Sequence, residues 1–474
     1  MAPGADVGVR LLHAARELGR QLAQELHGAG SRLSGAISGR GGDAEGCVAR
    51  IRSRLPSILR HAERDLAENV LPFWARASDG EHGGFITHLD RDGRRLGTTD
   101  KYLVMQARLV WTFAAAHRHG LTRHGYLALA GRGVHFLLDK MWDREHGGFF
   151  WIVGRDGAPL DTRKRAYGQG FAIYALAEYA AAAGDPRALA WAERTFDLLI
   201  AHAADGDLGF REEFVRDWTP APPPLGERKT LDTHLHLLEM LIALAGTTKR
   251  EAHAAALTRV LDILLRRVVH GRDRYAADLF DRSWRPSDDW RHRRRVNYGH
   301  DAELAWLALE AVDLLGRPRI EIRDRVLGLI DHALAYGFDR TRGGIAHYGP
   351  PAGAVTHAIY LNPARLAKLW WPQAEMLVAT IEAYRWTGRA RYLVAFEKQF
   401  EWVWRHQVDH EAGDWFEAVT WREGRPLSLR KGHDWKDAYH QSRAWMEVSR
   451  RLRAMGIRPG EETAESAGAG SRSL

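Results

Sequence analysis

Apolar residues along this chain follow a helical rhythm, because they recur every three or four positions through long segments. Several of these segments are apolar nearly all round, which is typical of helices that are buried on every side. They cover residues 101–119, 167–184, 235–246, 303–316 and 370–388. Segments with a clearer charged face, such as residues 188–203, alternate with them. Glycines commonly follow the last apolar position, as they do at helix C-termini. The pattern predicts alternating inner and outer helices.

A short glycine-rich motif recurs between the helical segments. DGEHGGF ends at Phe85, and RYAADLF, which ends at Phe280, is a weaker copy. Other copies end at Phe150, Phe210, Ile345 and Phe416. The spacing of about 60 to 70 residues indicates roughly six structural units. Six units of one inner and one outer helix predict an all-α (α/α)6 barrel, with the glycine-rich turns and short hairpins at one end.

The composition favours one large domain. The chain has 474 residues, of which 45% are hydrophobic, and its 18 tryptophans suit both a sizeable core and a sugar-binding surface. We expect residues 47–457 to form the barrel. Glycine and serine replace the helical pattern before it, so residues 1–46 are expected to be a partly disordered extension, and residues 458–474 a disordered tail.

Charge and cysteine content argue against several classes of protein. The net charge of +8 is carried mainly by arginine, most densely at residues 291–295. The other arginines are interleaved with acids and no nucleic-acid motif accompanies them, so a nucleic-acid partner is not expected. The single Cys47 cannot form an internal disulfide. No apolar run reaches the roughly 20 residues that cross a bilayer. We expect a cytoplasmic monomer or homodimer without membrane association.

Three histidine segments carry the strongest chemical signal. They are THLHLLE (residues 233–239), NYGHDAE (residues 297–303) and WKDAYHQSRA (residues 435–444). Each places an imidazole among acidic, aromatic or arginine residues, which can tune its pKa for acid–base chemistry near neutral pH. A buried histidine that is satisfied by a helical neighbour is the structural alternative for each segment.

Helix geometry separates these histidines. His236 and Glu239 share a helix face, whereas His234 and His236 point away from each other, so no shared metal site is predicted. His300 lies near a helix start, where the positive end of the helix dipole disfavours the imidazolium. Glu303, one turn on, favours the imidazolium and can hold one ring nitrogen. These opposing effects predict a pKa for His300 close to the working pH.

Aromatic residues and one arginine complete the candidate site. Trp370, Trp371 and Trp435 suit stacking on the apolar face of a pyranose and suit the core equally, so both interpretations stay open. Arg108 lies in an otherwise apolar inner helix. Its guanidinium must find an acid or a substrate oxygen, because an unpaired buried charge is costly.

Taken in order, these segments resemble the N-acylglucosamine 2-epimerase superfamily and, within it, the cellobiose 2-epimerase branch. The resemblance covers roughly residues 51–452 and rests on seven motifs: GGFITHLDRDG, KYLVMQARLVWTF, YGQGFAIYALAEY, THLHLLE, YGHDAE, KLWWPQAE and WKDAYHQSRA. The fold of that family is an (α/α)6 barrel, which agrees with the repeat count. The form GHDAE resembles the cellobiose 2-epimerase branch, since the acylglucosamine and mannose-isomerase branches typically show a His-Pro-Gly form.

The resemblance implies the site residues. The catalytic residues are expected to be His300, His440, His236 and Arg108. The substrate-binding residues are expected to be Tyr167, Asp232, Glu303, Trp370, Trp371 and Trp435. His300 and His440 correspond to the two acid–base histidines, and Arg108 to the arginine that stabilises the enediolate. The implied partner is a small sugar with a free reducing end, and no cofactor or metal is expected.

The implied reaction inverts C2 of a reducing-end aldose of the glucose or mannose type. One histidine removes the C2 proton, and a second returns a proton to the opposite face of a planar cis-enediol. The alternative on the same scaffold is an aldose–ketose isomerase, such as one that converts mannose to fructose. A glycoside hydrolase would need two carboxylates and leaves the histidines unexplained, and a helical-repeat binding protein would show no turnover.

The chain departs from the branch at a few positions. Asp232 stands where asparagine is usual, and Asp437 and Ala438 stand where Cys-Pro is usual. The added charge of Asp232 is expected to raise the pKa of His236. The proline-rich stretch of residues 219–227 is expected to reshape the mouth of the site. These changes bear on disaccharide preference more than on the class of reaction.

Overall fold

A computed structural model describes residues 41–122, 125–272, 274–289, 295–352 and 367–459, with only the backbone described for residues 41–44. Most of the predicted N-terminal extension and nearly all of the predicted tail lie outside the described residues. The same holds for residues 291–294 of the arginine cluster. Among the described residues, no helix combines the length and apolar character required to cross a lipid bilayer.

Helices make up most of the described chain, and they alternate between an inner and an outer position. In chain order they are α1 (Gly41–Arg64), α2 (Leu71–Ala75), α3 (Leu103–Arg118), α4 (Tyr126–Phe136), α5 (Ala166–Ala183), α6 (Pro186–Leu198), α7 (Leu231–Thr248), α8 (Glu251–Ile263), α9 (Tyr298–Leu314), α10 (Arg323–His332), α11 (Trp370–Thr387), α12 (Ala390–Trp402) and α13 (Tyr439–Ala454). The odd-numbered helices from α3 to α13 are the inner ones. Gly184 and Gly388, both at positive φ, cap the C-termini of α5 and α11, as the glycine pattern predicts.

The six inner helices close into a ring. Each packs against the next, and α13 packs against both α3 and α1. The outer helices also share a feature, since a π-helical turn follows each of them. These turns are Asp65–Val70, Leu137–Met141, Leu199–Ala203, Leu264–Val268, Ala333–Gly337 and Val403–Gln407. The all-α (α/α)6 barrel predicted from the sequence is confirmed.

Short antiparallel strands occupy the end of the barrel at which the inner helices begin. They are β1 (Lys101–Tyr102), β2 (Ile152–Val153), β3 (Pro159–Asp161), β4 (Lys164–Arg165), β5 (Glu213–Phe214), β6 (Arg228–Thr230), β7 (Leu279–Asp281), β8 (Val296–Asn297), β9 (Tyr348–Gly349), β10 (Lys368–Leu369) and β11 (Ala418–Val419). They pair as β1-β2-β3, β4-β5, β6-β7, β8-β9 and β10-β11. Five inner helices therefore begin directly after a strand, and that strand pairs with a strand of the next structural unit along the chain.

One polar position near the start of each inner helix faces outward, and these six residues form the turn-anchoring layer. Its members are Gln106, Gln169, His234, Asp301, Gln373 and Gln441. Gln106 accepts from Phe85 N and donates to Phe85 O, both at 2.8 Å. A Cβ at Gly84 would approach Gln106 Oε1 to 2.6 Å. The glycine therefore lets the turn lie against the glutamine, which explains the recurring motif.

A buried lysine before five of the inner helices strengthens the same junction. Lys101 bonds Asp79 and Lys164 bonds Asp143, each at 3.0 Å, and the aspartate is the first residue of the glycine-rich turn. The fourth unit has Val296 at this position. Its turn bonds instead to Asp301 through Ala276 N at 2.8 Å. Because valine and aspartate replace the lysine and the glutamine of most other units, the turn motif of this unit, RYAADLF, is the copy that differs most in sequence.

Candidate active site

A cavity of about 550 Å³ opens at the hairpin end of the barrel, among the starts of the inner helices. All ten site residues predicted from the sequence line it: Arg108, Tyr167, Asp232, His236, His300, Glu303, Trp370, Trp371, Trp435 and His440. The structure thus brings together residues from all six inner helices and from the loop before α13. Their chemical roles depend on the individual contacts.

Two residues after the turn-anchoring layer, each inner helix points a side chain at the barrel axis, and these six residues form the central ring. Its members are Arg108, Phe171, His236, Glu303, Glu375 and Arg443. Neighbouring members touch. The Arg108 guanidinium lies 4.4 Å from the Phe171 ring centroid, and the Phe171 and His236 rings are 4.8 Å apart. Three members of the central ring, Arg108, His236 and Glu303, line the cavity.

His300 lies between two carboxylates. Its Nδ1 is 3.3 Å from Asp278 Oδ1, and its Nε2 is 3.5 Å from Asp232 Oδ1. Burial disfavours a charge here, but Asp232 and Asp278 outweigh it and raise the pKa of His300 to about 10. His300 is therefore an imidazolium at neutral pH. This differs from the pKa near the working pH expected from the sequence, because Asp278 and Asp232 act together on one ring.

His440 has the opposite character. Its Nδ1 is 2.7 Å from Glu375 Oε1. Burial, together with the positive charges of Arg108 and His300, lowers the pKa of His440 well below its usual value. Burial raises the pKa of Glu375, but its oxygens also accept from Arg443 and from Trp306 Nε1. These donors favour the carboxylate as an acceptor, so His440 carries its proton on Nδ1 and keeps a lone pair on Nε2.

Trp371 connects the two histidines. Its ring centroid lies 5.0 Å from that of His300 and 5.6 Å from that of His440. A Cβ at Gly299 would approach the indole to 2.5 Å, so the glycine before His300 permits this close contact. A neutral imidazole and a charged one therefore lie beside the same aromatic surface, on different inner helices.

His236 contacts two carboxylates on its own helix. Nδ1 is 3.0 Å from Glu239 Oε2, as the shared helix face predicts, and Nε2 is 3.5 Å from Asp232 Oδ1. The pKa of His236 is nevertheless lowered, because burial outweighs the raising effect of Asp232. Asp232 raises the pKa of His236, as expected from the sequence, but burial lowers it by more. His234 belongs to the turn-anchoring layer, where its Nε2 accepts from Phe210 N at 3.2 Å.

Arg108 is buried against aromatic rings. Nη2 donates to Tyr167 Oη at 3.1 Å, and Nη1 lies 3.8 Å from Asp437 Oδ2. The guanidinium also packs over Phe171 and Tyr439. Arg108 Nε has no hydrogen-bond partner in the described part of the chain. This inner-helix arginine therefore has an acid nearby and a donor that remains unsatisfied beside the cavity.

Glu303 does not hold His300, contrary to the expectation from helix spacing. Its Oε1 accepts from Arg443 Nη2, and His300 turns toward Asp232 and Asp278 instead. Arg443 also donates to Glu239 and to Glu375. Two groups of potential metal ligands surround this guanidinium, His236 with Glu239 and Glu303, and Glu303 with Glu375 and His440. Because Arg443 already places a positive charge among the carboxylates, we interpret both groups as parts of one arginine-centred network.

The three tryptophans differ in their surroundings. Trp435 lies at the mouth, is 43% exposed, and has its ring centroid 6.0 Å from that of Tyr167. Trp371 is half-buried and lies beside both histidines. Trp370 is buried and packs near Lys436 and His440. Trp371 and Trp435 therefore present aromatic surface to the cavity, whereas Trp370 mainly supports it from below.

Sequence reasoning missed the acids that hold the histidines. Asp278 precedes His300 by 22 residues, and Glu375 precedes His440 by 65 residues, so no helix spacing marks either acid. An internal alignment of the six inner-helix starts would have identified Glu375 and Arg443, because it places both in the central ring with Arg108, His236 and Glu303.

Comparison with known proteins agrees with this site. The sequence profile of N-acylglucosamine 2-epimerase (GlcNAc 2-epimerase) matches residues 84–444. The chain is 31% identical to the cellobiose 2-epimerase of Bacteroides fragilis, over 82% of this chain and 98% of that protein. It is 25% identical to the D-mannose isomerase of Marinomonas mediterranea, over 81% and 95%. The solved cellobiose 2-epimerase of Spirochaeta thermophila superposes with a TM-score of 0.75 and 35% identity, covering 85% of this chain and 99% of the other.

The barrel and these matches place the protein among the carbohydrate epimerases and isomerases. The profile covers most of the chain, and the identity to a curated relative extends over nearly the whole of that relative. The chain belongs to the N-acylglucosamine 2-epimerase family, so the resemblance stated from its sequence motifs is confirmed.

Proposed function

We propose that this protein inverts the configuration at C2 of a reducing-end aldose of the glucose or mannose type, as in the conversion of cellobiose to glucosyl-mannose. The single observation that carries the proposal is a pair of histidines with opposite charge states that line one cavity beside Trp371. His440 is neutral with a free Nε2 lone pair, and His300 is protonated. Inversion at an acidic carbon needs a base and an acid on opposite faces of one planar intermediate. Names of relatives support the substrate class, since the profile and the B. fragilis protein are both sugar 2-epimerases.

The reaction begins with ring opening, which turns C1 into an aldehyde and makes the C2 hydrogen acidic. His440 Nε2 takes this proton, and the electron pair of the C–H bond forms the C1–C2 double bond of an enediolate. The C2 carbon becomes planar, and the negative charge moves to O1. His300 then donates its Nε2 proton to the opposite face of C2, and the aldehyde re-forms. The products are the inverted aldose, a charged His440 and a neutral His300, so no electrons are gained or lost.

Arg108 stabilises the enediolate in this scheme. Its buried guanidinium has an unsatisfied Nε donor and packs over the Phe171 ring, beside Tyr167. A fixed positive charge that meets a developing oxyanion in a water-poor site stabilises the transition state by several kcal/mol. We assign His236, which Glu239 orients, to ring opening or to contact with O1 and O5.

The mouth offers room for a second sugar ring. Trp435 presents a half-exposed indole there, and Arg228, Arg295 and Glu417 line the same cavity. An aromatic face with polar groups around it is the usual surface for a pyranose. This arrangement supports a disaccharide substrate with its reducing end among the histidines.

Proton NMR in heavy water tests the proposal. The purified protein is incubated in turn with glucose, mannose, cellobiose and N-acetylglucosamine. We expect the C2 epimer of one or more of these sugars to appear, with deuterium at C2 of both epimers. Formation of fructose from mannose would identify an aldose–ketose isomerase instead, and cleavage of cellobiose a hydrolase. Loss of none of the four sugars would contradict the proposal.

A further inference from the structure

One carboxylate oxygen in the cavity serves two histidines. Asp232 Oδ1 lies 3.5 Å from His236 Nε2 and 3.5 Å from His300 Nε2. Asp232 sits in the first turn of α7, and its side chain is 45% exposed to the cavity. Among the residues that the structure describes, no lysine or arginine forms an ion pair with Asp232. The two imidazoles are therefore its partners, and they in turn depend on it.

We propose that Asp232 is a positioning residue that keeps His300 protonated in the free protein and holds His236 in place beside it. For catalysis, this means that the acid on one face of the sugar is already protonated in the free protein, while the base on the other face is neutral. This consequence depends on the proposed function. Without Asp232, the proton of His300 would depend on Asp278 alone.

Geometry supports this assignment. Both ring nitrogens of His300 face carboxylates, Nδ1 facing Asp278 and Nε2 facing Asp232. Only an imidazolium has a donor on each nitrogen, so this arrangement fits the charged ring. His236 also faces two acids, but its burial and the nearby Arg108 lower its pKa and keep it neutral. The positive N-terminal end of the α7 helix dipole further stabilises the negative charge on Asp232.

Other titratable or charged groups around His300 come from every neighbouring element. They are Asp232 and His236 on α7, Asp278 before β7, Arg295 before β8, His347 before β9, Glu303 on α9, Arg108 on α3 and His440 on α13. Of these groups, Asp232 and Asp278 are the ones at hydrogen-bond or ion-pair distance from the ring. Removal of either carboxylate is therefore expected to lower the affinity of His300 for its proton.

Histidine NMR titration of the ligand-free protein tests the first part of the proposal. In Asp232→Asn, the midpoint of His300 should fall by about one to three pH units, as expected when an adjacent opposite charge is lost. His236 should shift in the same variant. In Asp278→Asn, His300 should shift while His236 does not. Asp207→Asn, an exposed aspartate in the turn Gly206–Leu208, removes the same charge away from the cavity and should move neither.

An unchanged His300 midpoint in folded Asp232→Asn would overturn the proposal. Asp232→Ala provides the same test should the asparagine variant not fold. A fall in the midpoint of His300 without a shift of His236 would overturn the statement that one carboxylate holds both rings. These readouts need no substrate, so they stand whether or not the protein is an epimerase.

The catalytic part is tested by the pH profile of kcat/KM. On its alkaline side, the wild-type profile should lose activity above about pH 10, where His300 loses its proton. In Asp232→Asn, this alkaline limb should move down by the shift seen in the NMR titration, and by the same amount in both reaction directions. A shifted midpoint with an unmoved alkaline limb would contradict His300 as the acid and overturn the catalytic part of this inference, whereas absence of epimerisation in the wild type would contradict the proposed function itself.

Discussion

The turn-anchoring layer and the central ring occupy the same six inner helices, two residues apart, yet they differ sharply in composition. The turn-anchoring layer uses glutamine in four of its six positions, and Gln106, Gln169 and Gln373 each bond a backbone N–H and C=O of a glycine-rich turn. The central ring holds two arginines, two glutamates, a histidine and a phenylalanine. One layer repeats its chemistry around the barrel, and the other does not.

The difference follows from what each layer faces. Five of the six units present a backbone N–H of their turn to the turn-anchoring layer, and a glutamine amide satisfies three of these groups. Three members of the central ring line the candidate active site, and a sugar bound there has no sixfold symmetry. The six positions of the ring are therefore free to differ, and they supply acids, bases and an apolar surface in different directions. Residues that stabilise the fold and residues that line the candidate active site therefore lie on different faces of the same inner helices.

The largest effect on stability is expected from Gln169→Leu. This change leaves the buried N–H and C=O of Phe149 without partners, at about 1–3 kcal/mol for each group. The free energy of unfolding should fall by about 2–6 kcal/mol, measured by urea denaturation. Gln106→Leu, the matched change in the preceding unit, should have a similar effect. A loss below about 1 kcal/mol in both variants would show that the two layers do not differ in this way.

His234 and His236 lie within one turn of α7 but belong to different layers, so substitutions at the two positions compare the layers directly, with smaller expected effects. His234→Gln places in the turn-anchoring layer the residue that other units use there, so stability should change by less than about 1 kcal/mol and activity should persist. His236→Gln removes a cavity-lining imidazole and should lower kcat/KM by about 10- to 100-fold, or about 1.4–2.7 kcal/mol, with little change in stability. Unfolding curves and epimerisation rates of both variants check this. Loss of activity in His234→Gln together with unchanged activity in His236→Gln would contradict the division between the layers.

Much of the fold could be predicted from the sequence because each unit repeats the same local device. A glycine-rich turn, a buried lysine and a glutamine recur at fixed spacing, and the apolar inner helices between them are long. The unit around Phe280 was hardest to see because Val296 and Asp301 replace the lysine and the glutamine. The helix C-caps at Gly184 and Gly388 followed from the same pattern.

The site was predictable only in part. The candidate residues such as His300 and His440 line one cavity, because the barrel brings the starts of all inner helices together. The charge states were not predictable, since they depend on acids that lie far from the histidines in the sequence: Asp278 contacts His300, and Glu375 contacts His440. Helix spacing suggested Glu303 as the partner of His300, but Arg443 from another unit takes that carboxylate.

The central claim is that His440 and His300 carry opposite protonation states on either side of one sugar carbon. Deuterium exchange at C2 in heavy water tests it most directly in His300→Asn and His440→Asn. Both variants should lose inversion, by about 10²- to 10⁴-fold. In His300→Asn, the neutral His440 should still exchange the C2 hydrogen of one epimer near pH 7. In His440→Asn, exchange into the other epimer should be weak at pH 7 and rise toward pH 10, as His300 loses its proton. Unchanged turnover in either variant, or equal exchange in both at neutral pH, would contradict the account.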